Sequence, residues 1–128
     1  MVIDSSPIAA ILFEEPDASA YISAILNDVT RLMSAATLVE LSIVAMRHGR
    51  PDPLAALDVL LARLQVVIIP LDREQALIAR EAFRRFGKGR HKAGLNLGDC
   101  FSYALAKRTG EALLFKGNDF ALTDIVAA

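Results

Sequence analysis

Apolar and polar positions along this chain change period several times, and each change predicts an element. Met1-Val2-Ile3 is a short apolar run that stops at Asp4, as a buried strand would. In Ser5-Ser6-Pro7, Ser6 is placed to cap and Pro7 suits a first helical position. Ile8 to Phe13 is therefore expected to be helical until Pro16 breaks the pattern. Tyr21, Ile22, Ile25 and Leu26 recur at helical spacing within a second helix over 18–26. Arg31 to Ser34 gives a short second strand. Ser34 opens a long helix reaching about His48, where Gly49 and Pro51 end it. Leu57, Leu60, Leu61 and Leu64 mark a helix over 52–64. Gln65 to Pro70 is β-branched and too short for a helix. Its unbroken apolarity predicts a strand buried on both faces of a parallel sheet. Asp72 to Phe86 is helical, and Gly87 to Asn96 is a glycine-rich basic loop. Asn96 then caps a helix running to about Arg108 and closed by Gly110. Ala112 to Phe115 is a fourth strand, Lys116 to Phe120 a turn that could open a short helix, and Asp124 to Val126 a last edge strand.

Strands thus alternate with helices over residues 1–128, with no repeat, linker or low-complexity segment. The pattern predicts one α/β domain, a parallel sheet with helices on both faces. Ligands of such sheets bind beyond the carboxyl ends of the strands, near the switch in strand order.

Composition narrows the chemistry. Apolar residues make up 54% of the chain, more than a core usually needs, so an interface is expected as well. No apolar run approaches the ~18 residues of a membrane span, and the N-terminus lacks a basic, apolar leader, so the expected location is cytoplasmic. One cysteine, Cys100, and two histidines, His48 and His91, exclude a disulfide framework and a cysteine-rich zinc site. A metal here would be held by oxygen, which points to Mg²⁺ or Mn²⁺. The net charge of −1 does not announce a nucleic-acid partner. Its distribution is more telling, because Arg80, Arg84, Arg85, Lys88, Arg90 and Lys92 crowd one region in which Glu81 is the only acid. Such a run is either a solvated helix face with its loop or a surface for phosphate.

Two acids, Asp4 and Asp119, fall on the predicted carboxyl edge, and Asp99 and Glu40 reach it only where their helix starts pack beside it. Asp4 and Asp119 follow strands directly, and each could simply cap or end an element. Asp99 stands three residues after Asn96, a capping-box spacing, at the mouth of an otherwise apolar helix. Glu40 lies among Leu38, Val39, Leu41, Ile43 and Val44. It either sits on a narrow exposed stripe with Arg47 or is a buried carboxylate that must be paired, protonated or metal-bound. Gathered in one place, such acids would repel, which calls for protons or a cation.

On these residues the chain resembles the PIN-domain ribonucleases, specifically the VapC-type toxins of bacterial toxin–antitoxin modules. Met1-Val2-Ile3-Asp4-Ser5-Ser6 looks like the opening strand with its first acid. Ser34 to Glu40 is similar to the second motif, and Gly87 to His91 together with Asn96 to Ala104 to the third. Leu113 to Phe120 resembles the fourth, although Phe115 and Gly117 stand where many relatives carry a hydroxyl residue and an acid.

The resemblance implies a sheet ordered 3-2-1-4-5 and an endoribonuclease that uses a metal-activated water. Asp4, Glu40, Asp99 and Asp119 would be the catalytic and metal-binding acids. It also implies dependence on Mg²⁺ or Mn²⁺, inhibition by a VapB-type antitoxin, and a homodimer. Lys88, Arg90, His91, Lys92 and Lys116 are then the candidate RNA contacts, with single-stranded loops the expected targets. Ser5, Ser6, Thr37 and Asn118 would position the acids, and Cys100 belongs to the core. Two other classes remain compatible with the pattern. One is a receiver-like Mg²⁺ domain phosphorylated at Asp72, which leaves Glu40 unexplained. The other is a binding module whose acids are only caps.

Overall fold

The structure, a computed structural model, describes residues 1–128. The chain runs β1 (Val2–Ile3), α1 (Ser5–Leu12), α2 (Ala18–Asn27), β2 (Leu32–Ser34), α3 (Ala35–Met46), α4 (Pro53–Arg63), β3 (Val67–Ile69), α5 (Arg73–Phe86), α6 (Leu97–Thr109) and β4 (Leu113–Leu114). All four strands are parallel, in the order β3-β2-β1-β4. Val2 registers with Leu32 on one side and Leu113 on the other, so β1 is central.

Side chains of successive strand residues leave opposite faces of the sheet, and each face has its own core. Ile3, Met33 and Leu114 pack with Ile8, Ile11 and Leu12 of α1, Ile25 of α2, Leu41 of α3, and Leu57 and Leu61 of α4. Val2 and Leu113 pack with Ala79, Ala82 and Phe86 of α5 and with Tyr103, Ala104 and Leu105 of α6. Gly110 closes α6 in the left-handed conformation, φ 74°, where a side chain is disfavoured.

Three expectations are corrected. The strand over 65–70 is not buried on both faces. β3 is an edge strand, Val67 is 54% exposed, and the sheet ends there because no further strand pairs with it. The fifth strand shrinks to one parallel bridge between Leu113 and Ala127. The residues before that bridge are held in a turn instead, with Ile125 N–H donating to Thr123 Oγ1. Finally, the exposed stripe of α3 is not narrow. The helix buries Thr37, Leu41 and Ala45 but presents Val39, Ile43 and Met46 to solvent, because a helix apolar all round exceeds what one sheet face can cover. No helix is long and apolar enough to cross a membrane.

Candidate active site

β1 delivers Asp4 to the carboxyl edge of the sheet, where its N–H donates to Leu114 O at 3.0 Å. The side chain is buried. Asp4, rather than Ser6, caps α1. Its extended backbone aims Oδ2 at the Ser6 N–H, 3.1 Å away, while Ser6 itself lies inside the helix. The Ser6 hydroxyl donates to the same oxygen at 2.6 Å, and the Ser102 hydroxyl donates to Oδ1 at 2.7 Å.

Glu40 rises from the second turn of α3 and lies over Gly98 at the start of α6. A Cβ at residue 98 would collide with both carboxylate oxygens, so this approach requires glycine. Glu40 Oε2 is buried and has no hydrogen-bond partner. Burial, and then the charge of Asp4, pushes the Glu40 carboxyl above its ordinary range, with the Ser5 hydroxyl pulling the other way. Arg47 shares with Glu40 a cleft of about 450 Å³ that Val39, Ile43, Leu97 and Phe101 also line. Glu40 therefore lies between the two readings of the sequence, half-buried in a cleft that Arg47 also lines and with one carboxylate oxygen out of water.

Asp99 completes a capping box. Its Oδ2 accepts the Asn96 N–H at 2.8 Å, and its own N–H donates to Asn96 Oδ1 at 2.9 Å. The carboxyl is buried, and burial raises its pKa from 3.8 to about 6. The Asn96 N–H opposes this, while the charges of Asp4, Asp119 and Glu40 add to it. All four acids therefore meet in one electrostatic neighbourhood. Asp119 is its exposed member, on a turn that opens no helix and is anchored by buried Phe120. Neighbouring Asn118 is also exposed, and its carbonyl accepts the Ala121 N–H at 3.1 Å.

The arrangement fits a hard cation. The donors are all carboxylate oxygens, two of them are raised in pKa by burial and mutual repulsion, and one buried oxygen lacks any donor. No three acidic, histidine or cysteine side chains converge closely enough to enclose an ion.

Lys88, Arg90, His91 and Lys92 are exposed on a loop closed at its neck by Lys88 N–H to Leu95 O, 2.9 Å, and Leu95 N–H to Phe86 O, 3.0 Å. Arg90 lines a cleft with Arg80, Phe83 and Arg84. His91 also serves the loop itself, since its Nδ1 accepts the Ala93 N–H at 3.1 Å and its ring meets Phe86 edge-on. Lys116 faces elsewhere, with its ammonium held between Glu15 and Asp17. Its backbone N–H donates to Ser6 Oγ at 3.0 Å. Asp72, which a receiver-like domain would phosphorylate, caps α5 by accepting the Gln75 N–H at 2.8 Å.

The sequence model of the PIN domain matches residues 1–126. The chain belongs to the PIN-domain family. This PIN domain is 52% identical over 128 residues to a ribonuclease VapC of Mycolicibacterium smegmatis, covering 99% of this chain and 98% of that one. It is 50% identical over 126 residues to ribonuclease VapC30 of Mycobacterium tuberculosis, covering 98% and 95%. Among solved structures it resembles VapC20 of Mycobacterium tuberculosis, described as a sarcin–ricin-loop-cleaving toxin. The TM-score is 0.75 at 17% identity, over 99% of this chain and 97% of that one. That likeness speaks for the fold.

Two features of the PIN-domain site escape a reading of sequence alone. Ser102 stands three residues beyond Asp99, on the same helical face, and its hydroxyl in an apolar helix was the available signal. Gly98 reads as an ordinary first-turn residue until Glu40 is seen above it. Cys100 behaves as expected of a core residue, since burial and the Asp99 charge push its thiol up to about 11.

Proposed function

We propose that this PIN domain is the cytoplasmic toxin of a type II toxin–antitoxin module, an endoribonuclease that uses Mg²⁺ or Mn²⁺. The observation that supports the proposal is that Asp4, Glu40 and Asp119 lie near enough to Asp99 for their charges to add to the rise in its pKa, with Glu40 Oε2 buried and unpartnered. Relatives at 50–52% identity named ribonuclease VapC support it.

Asp4, Glu40 and Asp99 would hold the ion, with Asp119 at the open side. When bound, the ion supplies Lewis-acid polarisation of a phosphate and a water of lowered pKa. The protein's own part is orientation. Hydroxyls fix Asp4, the capping box fixes Asp99, and the missing side chain at Gly98 leaves room for the Glu40 carboxylate. No hydroxyl or thiol is placed as a nucleophile. Ser6 and Ser102 donate their protons to Asp4, and Cys100 is held as a thiol.

Because the acids repel phosphate, cations must draw the RNA in, and exposed Lys88, Arg90 and Lys92 together with Arg80 are the candidates. The exposed apolar side chains Val39, Ile43 and Met46 on α3 and Leu97 on α6 support two further parts of the proposal, a homodimer and a VapB-type antitoxin partner.

The test is cleavage of single-stranded RNA by wild type, Asp4→Asn and Glu40→Gln, with Mg²⁺, with Mn²⁺ and with chelator. Divalent-dependent cleavage by wild type alone is expected. Equal cleavage by all three proteins, or cleavage that survives chelation, overturns the proposal.

A further inference from the structure

Two hydroxyl relays end on the Asp4 carboxylate. On one side the Lys116 N–H donates to Ser6 Oγ at 3.0 Å, and the Ser6 hydroxyl donates to Asp4 Oδ2 at 2.6 Å. On the other side the Ser102 hydroxyl donates to Asp4 Oδ1 at 2.7 Å, and Thr37 Oγ1 lies 3.2 Å from Ser102 Oγ. Ser102 and Thr37 have no solvent exposure. A hydroxyl has one proton, and an ionised carboxylate only accepts. The Ser102 proton is committed to Asp4, so Thr37 is the donor to Ser102. The second relay therefore runs Thr37 to Ser102 to Asp4, from α3 through α6 to the end of β1.

The placement of these hydroxyls is costly unless they are satisfied. Ser102 occupies a core position among Tyr103, Ala104 and Leu105, where an apolar side chain would pack without that requirement. Its hydroxyl meets two groups, Asp4 and Thr37. Thr37 lies one turn before Glu40 on the same helix, so the relay also ties the Glu40 helix to Asp4.

We propose that Ser102 is a positioning residue of the metal site, with Thr37 acting through it. The pair fixes the plane of the Asp4 carboxylate so that the lone pairs left free stay aimed at the cation. This rests on the metal-dependent nuclease proposed above.

The test measures Mn²⁺ binding to the full chain by titration calorimetry, with RNA kinetics and metal-free melting recorded alongside. Ser102→Ala is expected to weaken Mn²⁺ binding by about 10–100-fold, the usual effect of removing a group that orients a ligand. It should lower kcat while leaving KM for RNA in place. Thr37→Val should lose part of that affinity, and Thr37→Ser should restore it. The double variant Ser102→Ala/Thr37→Val should bind no worse than Ser102→Ala, because the two side chains act in series.

Wild-type Mn²⁺ affinity in Ser102→Ala, or losses that add in the double variant, overturns the proposal. Thr37→Val carries the same test if truncation at Ser102 unfolds the chain. Unchanged affinity there overturns the proposal, and a loss reversed by Thr37→Ser supports it. Wild type binding Mn²⁺ no tighter than Asp4→Asn removes the metal site and both proposals with it. Asp4-dependent binding that ignores Ser102 and Thr37 overturns this one alone.

Discussion

Replacing Asp99 by asparagine should stabilise the metal-free protein at neutral pH. The Asp99 carboxyl has its pKa raised from 3.8 to about 6 by burial and by the charges of Asp4, Asp119 and Glu40. Between those two values the folded state holds a proton that the unfolded chain has released. Stability therefore falls as pH rises through that window, and above it the whole penalty is present. At 1.36 kcal/mol per pH unit the gap is at most about 3 kcal/mol, and solvent screening at this partly open carboxyl reduces it to roughly 1–2 kcal/mol. The amide of Asp99→Asn keeps a carbonyl oxygen to accept the Asn96 N–H, so the capping box loses only the charge. Unfolding entropy near 2.1 cal/mol/K per residue converts the gain, for a chain of this length, to about 5 °C in Tm. The assay is thermal unfolding in chelator at pH 7.5 and pH 4. The variant should melt higher at pH 7.5, the two proteins should converge near pH 4, and Mn²⁺ should narrow the gap at pH 7.5 by stabilising wild type. A variant that melts no higher at pH 7.5, or by the same margin at both pH values, refutes the argument.

Gly98→Ala would drive a Cβ into the Glu40 carboxylate, which sits at the flexible end of its side chain. The circular dichroism spectrum should be retained, while divalent-dependent cleavage falls at least about 100-fold, since losing a metal-orienting carboxylate removes several kcal/mol of stabilisation. Replacing Lys88, Arg90 and Lys92 together by alanine should flatten the salt dependence of RNA binding. The log–log slope should drop by about 2, at roughly 0.7 for each phosphate that is no longer neutralised. Wild-type slope in that variant would remove the loop from the RNA surface. Ile43→Glu, placed on the exposed face of α3, should split the proposed homodimer and halve the molar mass seen by light scattering while the protomer keeps its circular dichroism spectrum. An unchanged mass would put any dimer contact elsewhere.

Much of this was legible in the sequence because caps and periods are local. The helix begun at Asn96 shows the strength of that logic. Its capping box follows from two residues three apart, and both reciprocal hydrogen bonds are present. Asp4 and Asp119 could be placed on the carboxyl edge from strand order alone, since parallel strands all end on the same side. What the sequence could not give was contact between distant segments. Glu40 and Gly98 are 58 positions apart, and nothing near either one announces the other. The pairing of Lys116 with Glu15 and Asp17 is hidden in the same way. Apolar content misled on α3 and β3 because it measures what must leave water, not which surface will cover it. Val39 and Val67 satisfy the helix and strand patterns equally well whether faced by the chain's own core or left open.

Asp4 caps α1 and Asp99 completes the capping box of α6, besides bearing charge at the site, whereas Glu40 lies inside its helix and caps nothing. The two kinds of position would age differently in a lineage released from selection for cleavage. An asparagine at either aspartate still accepts the same backbone N–H, so those sites can drift only among acceptors without loosening the fold. At Glu40 an apolar replacement relieves a buried oxygen that has no partner. Decay of the activity would therefore be written first at the middle of α3, and the two capping positions would go on resembling an active enzyme after the chemistry had gone.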